Sequence, residues 1–144
     1  MPLSFELRPA AKSDFAFCWA IHRDVLQPLM EPPTEWHEPD QRRLVERAVA
    51  DAGSSILRSE GADAGWLHVA ETRQVIELKQ LQLLPEKRNR GLGSSFLDWM
   101  KERADRKRKD LTMEIMTNSL ARPLLERLGF KAVPTSGRTV TMRY

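Results

Sequence analysis

Between Val75 and Leu84 a strand pattern changes phase partway along. Apolar residues fall at Ile76 and Leu78, an even set, and then at Leu81 and Leu83, an odd set. A period of two cannot move from one face to the other without an extra residue, so the spacing predicts a β-bulge at Lys79-Gln80. An ordinary strand with one poorly placed polar pair is the plainer alternative. Bulges gather beside active sites, which favours the first. The strand runs straight into Pro85-Glu86-Lys87-Arg88-Asn89-Arg90-Gly91-Leu92-Gly93 and then a helix from about Ser94 to Lys109. Phe96, Leu97, Met100 and Ala104 give that helix its buried stripe. Leu111 to Met116 alternates again as a strand, so the unit is βαβ.

The rest of the chain supplies an antiparallel meander and two flanking segments. Ser4 to Arg8 alternates and meets Pro9, a short first strand. Asp14 can cap a helix with Phe17, Cys18, Ile21 and Val25 inward, ended by Pro28. Asp40 begins a second helix with Leu44, Val45, Ala48 and Val49 inward and Gly53 as its stop. Strands follow at Ser54 to Arg58, with a turn over 59–63, and at Gly65 to Thr72, with a tight turn at Arg73-Gln74. After the βαβ unit comes a short helix, Asn118 to Leu128, with Ala121, Leu124, Leu125 and Leu128 inward and Gly129 as its stop. Pro123 belongs in a first turn, so regular helix is expected from about Leu120. Phe130 to Val133 and Thr139 to Tyr144 close the chain around Pro134-Thr135-Ser136-Gly137. The order β-α-α-β-β-β-α-β-α-β-β is that of a mixed α/β domain, expected to span residues 1–144.

Composition excludes several classes. The 144 residues, 41% apolar and 30% charged, suit one self-sufficient core and exclude a disordered or fibrous chain. No apolar run approaches the roughly 20 residues of a membrane helix, and no secretory signal is visible at the start. Cys18 stands alone, so neither a disulfide nor a multi-cysteine metal site is expected, and a reduced, cytoplasmic compartment is the default. The net charge of +3 is mild. Its distribution matters more.

The glycine loop carries the chemistry. A strand end that turns through Gly91 and Gly93 into a helix points backbone N–H groups out of a positive helix terminus, which suits phosphate. Lys87, Arg88 and Arg90 add charge there. A dinucleotide fingerprint would need a small residue at Phe96, and a Walker loop would need Gly-Lys-Ser/Thr where Gly93-Ser94-Ser95 stands. The basic run Arg103 to Lys109 lacks interleaved aromatics and reads as a solvated helix end, so nucleic acid is not an expected partner.

Arg88-Asn89-Arg90-Gly91-Leu92-Gly93 resembles the (Gln/Arg)-x-x-Gly-x-Gly/Ala acetyl-CoA motif of the GNAT N-acetyltransferase superfamily. Its flanks agree: Leu83-Leu84-Pro85-Glu86 before it, then a long helix, a strand, Asn118-x-x-Ala121 and Leu128-Gly129-Phe130. The opening Leu7-Arg8-Pro9-Ala10 with Asp14 is also similar to many members. The resemblance implies a GNAT-like sheet whose fourth strand is bulged and splays from the fifth, with the pantetheine arm of acetyl-CoA in the gap. It implies backbone contacts to that arm at Leu81 and Leu83, and pyrophosphate contacts from the N–H groups of Arg88, Asn89, Arg90, Gly91, Leu92, Gly93 and Ser94. Asn118 matches a polar position that contacts the cofactor.

The implied reaction is acetyl transfer to a primary amine by direct attack on the thioester. Glu77 sits at the offset of the strand-four glutamate of GNAT histone acetyltransferases and is the candidate base; a salt-bridged strand residue is its plain alternative. His68 and Glu71 are weaker candidates, His68 being better explained as a satisfied structural histidine. A backbone N–H near Leu81, freed by the bulge, could face the oxyanion. The tyrosine that many members use as acid is replaced by Leu125, next to Leu124, and Tyr144 is the only tyrosine. The segment between the first two helices holds Glu31, Glu35, Trp36, His37, Glu38 and Asp40, with no Lys or Arg. It would draw in a cation, so the small-molecule or peptide acceptor is expected to be a cationic amine. An exposed acidic loop with Trp36 packed on the sheet is the alternative. A catalytically silent acyl-CoA-binding module is the alternative function, and homodimer formation stays open.

Overall fold

The computed structural model describes residues 4–30, 32–133 and 137–144, so Glu31 and the expected turn at Pro134-Thr135-Ser136 lie outside the described residues. Seven strands form one sheet: β1 (Glu6–Pro9), β2 (Ser54–Ser59), β3 (Ala62–Glu71), β4 (Val75–Leu83), β5 (Asp110–Met116), β6 (Lys131–Val133) and β7 (Thr139–Arg143), in the order β1-β2-β3-β4-β5-β7-β6. Only β4 and β5 run parallel; every other neighbour is antiparallel. Helices α1 (Phe15–Leu26) and α2 (Glu38–Ala50) cover one face, where Cys18, Trp19, Val45 and Val49 pack on Ile56 and Trp66. Helix α3 (Leu92–Lys107) covers the other, where Phe96, Leu97 and Met100 pack with Ile76, Leu78, Leu111 and Met113. Leu125 of α4 (Arg122–Arg127) joins that second core.

The phase change in β4 is a bulge. His68 pairs with Gln80 and Val69 with Leu78, which leaves Lys79 as the extra residue. Leu81 and Leu83 therefore continue the α3-side core that Ile76 and Leu78 began, while Gln82 turns towards α1. The parallel neighbour does not follow. Pairing between β4 and β5 runs through Val75↔Asp110, Ile76↔Leu111 and Glu77↔Thr112 and then stops. The two strands diverge over the remainder of their lengths.

Local boundaries differ from expectation where tertiary partners outcompete local ones. Asp14 precedes α1 but does not cap it: its carboxylate accepts from the Ala11 N–H at 2.8 Å and from Arg8 at 2.8 and 3.0 Å. Helix α2 starts at Glu38, because Pro39 fits a first turn, and His37 rather than Asp40 is its cap residue. The β2–β3 turn is only Glu60-Gly61, both at positive φ (54° and 76°), the tight form that matches strand twist, so β3 begins at Ala62. Helix α4 starts two residues later than expected, at Arg122, with Pro123 in its first turn, and Leu120 is left 92% exposed. The buried stripe of α1 is Cys18, Trp19, Ile21 and His22, with Phe17 and Val25 only half-buried. Leu44, expected inward, is 43% exposed.

Asp14 ties β1 to the start of α1, and its Arg8 partner also bonds Asp63 at 3.0 Å. The Arg8 hydrogen bonds hold the Asp14 carboxyl below its ordinary value of 3.8 despite burial. A carboxyl depressed in the fold contributes stability that is present above its unfolded value and lost as pH falls through the folded one. Asp14→Asn should therefore cost roughly 1–2 kcal/mol in urea unfolding at pH 7, by removing the charge-assisted bonds to Arg8 and leaving that guanidinium to Asp63 alone. That deficit should shrink below about pH 4, where the wild-type carboxyl also protonates on unfolding.

Candidate functional site

The end of β4 delivers the chain through a short 3-10 turn, Pro85–Lys87, to the start of α3. Asn89 and Gly91 there both adopt the left-handed conformation, at φ 59° and 87°. Gly91 heads the helix: its carbonyl accepts from both the N–H and the hydroxyl of Ser95, each at 3.0 Å. The first N–H groups of a helix have no preceding turn to bond, so this terminus carries free donors and partial positive charge. A Cβ on Gly93 would merely touch Leu83 Cδ1 at 3.8 Å, so packing within the protein does not demand glycine there.

The loop residues divide sharply. Leu92 buries its side chain (2% exposed), leaving only its main chain at the surface. Arg88 is spent internally: its Nε donates to the Leu83 carbonyl at 3.0 Å and its guanidinium pairs with Asp24 of α1 at 2.7 Å. Arg90, Asn89 and Gly91 are exposed, and Ser94 is half-buried. Asn118, just past β5, donates to the Leu29 carbonyl at 3.1 Å and so spans the side of the gap opposite β4. Leu81 and Leu83 edge the unpaired part of β4.

Glu77 lies at the last β4–β5 pair, exposed, opposite Ala70 on β3 and Thr112 on β5. No ion pair reaches it among the described residues. The weaker base candidates are committed elsewhere. Glu71 bonds Lys107 at 2.8 Å and Lys109 at 2.6 Å, and those two ammonium groups hold its carboxyl at about 2. The same contacts occupy much of the basic end of α3. His68 is buried and bonded to Asp51 at 2.8 Å, a satisfied structural histidine. Tyr144 donates to Asp105 of α3 at 2.9 Å, and Leu125 is buried.

One buried group was not foreseen. His22, fully buried, accepts at Nδ1 from Gln82 Nε2 (3.2 Å) and donates from Nε2 to Gln41 Oε1 (2.8 Å). Gln82 Nε2 also donates to Gln80 Oε1 at 2.8 Å, so a polar chain runs from α2 through α1 to the bulge. Its only sequence signal is the helical spacing of His22 with Cys18, Trp19 and Ile21.

Among the described residues, the carboxylates of the segment between α1 and α2 all have partners, which weakens the cation funnel that its composition suggests. Glu35 pairs with Arg138 at 3.2 Å, Glu38 with Arg23 at 3.9 Å, and Asp40 with His37 at 2.8 Å and with Arg43. Trp36 stacks on Trp19 with ring centroids 6.0 Å apart and buries its Nε1, so it packs against the core. Among the described residues no group of three His, Cys, Asp or Glu is placed to hold a metal, and no helix is long and apolar enough to cross a membrane.

A bulged fourth strand splayed from a parallel fifth, with a glycine turn opening the helix between them, is the GNAT fold. The family model described as FR47-like protein matches residues 56–139, more than half of the chain, and the chain belongs to this GNAT-type family. Its fold is similar to that of PaiA N-acetyltransferase from Thermoplasma acidophilum, solved in complex with coenzyme A (TM-score 0.73, 16% identity, 98% of each chain covered). It is also similar to an acetyltransferase from Thermus thermophilus (TM-score 0.72, 18% identity, 99% of this chain and 97% of that one). YncA from Salmonella typhimurium, solved with its cofactor acetyl-CoA, aligns with a TM-score of 0.61 at 18% identity over 98% of this chain and 93% of that one. No curated protein matches the sequence.

Burial keeps the His22 imidazole neutral, with its pKa below the ordinary 6.5. Its contribution to stability is present above the unfolded value and lost as pH falls through the folded one. The urea midpoint of the wild type should drop between about pH 7.5 and 5.5, and His22→Gln should remove most of that slope. An unchanged slope in the variant would assign the titration elsewhere.

Proposed function

We propose that the chain is an acetyl-CoA-dependent N-acetyltransferase acting on a primary amine. The observation that carries this is the end of β4–β5 pairing at Glu77↔Thr112, beside the glycine-opened entrance of α3. The solved structures with coenzyme A and acetyl-CoA among its structural relatives support the same co-substrate here.

The residues present fit that co-substrate. The main-chain N–H groups from Asn89 to Ser94 hold the pyrophosphate, helped by the exposed Arg90; Arg88 acts through its backbone, its side chain being tied to Leu83 and Asp24. A diphosphate close to the backbone accounts for glycine at position 93, which packing does not demand. Leu81 and Leu83 offer backbone groups along the open edge of β4 to the pantetheine amides, and Asn118 contributes from just past β5. Acetyl-CoA supplies an activated acyl carbon and a thiolate leaving group.

Glu77 accepts the proton that the attacking amine sheds as its nitrogen bonds to the acyl carbon. Its carboxylate is exposed and without an ion pair, so it is free to do so. The N–H near Leu81 donates to the carbonyl oxygen as charge builds there. The breaking C–S bond releases a thiolate, whose ordinary pKa near 8.5 lets it depart without a protein acid. The absence of a tyrosine at Leu125 is what favours the second function, a silent acyl-CoA-binding module. Free-thiol release on mixing with acetyl-CoA and an amine panel separates the two.

Gly91→Val should lower acetyl-CoA affinity more than tenfold by calorimetry while leaving the circular dichroism spectrum native. The left-handed φ costs a β-branched residue roughly 1–2 kcal/mol or more, and the loop would shift to relieve it. Normal binding would move the pyrophosphate site elsewhere. Glu77→Gln should reduce kcat/KM about a hundredfold at neutral pH. The deficit should narrow towards about pH 10, where the free amine accumulates without a base. A constant deficit across pH would remove Glu77 from proton transfer.

A further inference from the structure

On the α2 side of the bulge the sheet and α2 enclose a cleft of about 710 Å³. Its floor is His68 and Ala70 on β3 with Lys79 and Gln80 on β4; its wall is the α2 flank from Arg43 to Ala48. Adjacent positions of a regular strand point to opposite faces. Here the bulge brings Lys79 and Gln80 to one side. Glu77 borders the same cleft, since its cross-strand partner is Ala70.

With Glu77 at its border the cleft holds Arg43, Arg47 and Lys79 against Asp40, Asp51 and Glu77, but these charges are not all paired. Two of its carboxylates are engaged, Asp40 with Arg43 and His37, and Asp51 with His68, while Glu77 at its border has no ion pair among the described residues. Arg47 and Lys79 have no carboxylate within 4 Å among the described residues, although Lys79, after the hydrogen bonds from His68 and Gly53, also helps to lower the Asp51 carboxyl. Gln80 adds a donor rather than an acceptor: its Oε1 is taken by Gln82 Nε2, which His22 and Gln41 hold in place, so its amide hydrogens are what remain for the cleft. Beside these donors lies Leu44, 43% exposed on a helix face where Val45, Ala48 and Val49 are buried. Two cations without a close ion pair, an oriented amide donor and an apolar wall describe a pocket for an oxyanion on an apolar body.

We propose that this cleft binds the acceptor, and that the acceptor carries a carboxylate or comparable oxyanion a few bonds from its amine. The inference rests on the N-acetyltransferase function proposed above and specifies its substrate class. The oxyanion sits between Arg47, Lys79 and the Gln80 amide, the apolar body lies on Leu44, and the amine faces Glu77. An α-amino acid with an aliphatic side chain is the simplest molecule of this kind. The phosphates of the co-substrate are a separate anion: α3, whose entrance would hold them, packs on the opposite face of the sheet. The transfer step is unchanged, with the amine proton passing to Glu77, the N–C bond forming and the C–S bond breaking. Arg47 and Lys79 are specificity residues and take no part in it.

Leucine and leucinamide test this when their rates are compared per free amine, because the amide lacks the oxyanion and also has the more acidic ammonium group. With saturating acetyl-CoA, kcat/KM for leucine should exceed that for leucinamide by about tenfold or more. In the Arg47→Gln/Lys79→Gln double variant that preference should vanish through a rise in KM for leucine, with KM for acetyl-CoA unchanged. Lys79→Arg, which keeps the charge, should keep the preference. Equal use of both amines by the wild type, or a preference that survives in the double variant, would overturn the proposal. If no amine is acetylated while acetyl-CoA still binds, it is the enzymatic function that fails, and the cleft is judged by calorimetry with N-acetyl-leucine. Binding that weakens at least about tenfold in the double variant supports the anion pocket, and no binding or equal binding overturns it.

Discussion

A single extra residue in β4 sets the geometry on which everything else in this molecule depends. Lys79 has no partner on β3, so the strand re-enters its ladder with every later side chain on the other face. A bulge also bends and twists its strand. The neighbour on the other side, β5, cannot keep pace with that bend and leaves after Thr112. What remains is a sheet held firmly on both flanks and open in the middle: β3 and β4 pair from Gly65↔Leu83 to Glu71↔Ile76, and β5 and β7 from Thr112↔Arg143 to Met116↔Thr139. Backbone groups bordering such an opening must find partners outside the ladder, and a ligand amide is one.

The opening does not split the fold because α3 bridges it from beneath. Phe96, Leu97 and Met100 share one core with Ile76 and Leu78 of β4 and with Leu111 and Met113 of β5. Phe5 packs edge-on against Phe96 and Trp99, with ring centroids 5.6 and 5.8 Å apart, and extends that core towards β1. Two polar ties cross on the opposite side. Asn118 reaches the Leu29 carbonyl, and Arg138 at the start of β7 reaches Glu35. The sheet is thus free to part where its hydrogen bonds stop, while the apolar layer below holds the halves in register.

What could be read from the sequence follows from the range of the forces involved. The bulge was legible because alternation is binary and a slip cannot hide. The helix entrance was legible because a strand end, two glycines and an apolar stripe stand next to one another in the chain. Capping by Asp14 looked sound locally, but Arg8 and the Ala11 N–H offered the carboxylate better partners in a turn before the helix. The fate of the Arg88 side chain depended on Asp24, 64 positions away. The helical stripe of α1 did contain His22, yet nothing local distinguishes a buried neutral imidazole from a surface one. Its partners Gln41 and Gln82 come from two other elements. Leu44 fitted the apolar stripe of α2, yet it lines the cleft beside the bulge and stays 43% exposed.

Charge shows the same limit most plainly. The segment from Glu35 to Asp40 is acidic by composition, yet Arg23, His37, Arg43 and Arg138 neutralise each of its carboxylates. The cleft at the bulge draws its charged side chains from α2, β3 and β4, and no stretch of sequence marks it as basic. Pairing there engages Asp40 and Asp51 and leaves Arg47, Lys79 and Glu77 without an ion pair among the described residues. A field at a site is made by the charges that tertiary pairing leaves unmatched, so a neighbourhood balanced overall can still offer free cations while the carboxylates of an acidic loop are met by partners. The bulge that opens the sheet also pushes one of those leftover cations into the cleft. The same extra residue thereby governs where a thioester would lie and what kind of molecule can come to meet it.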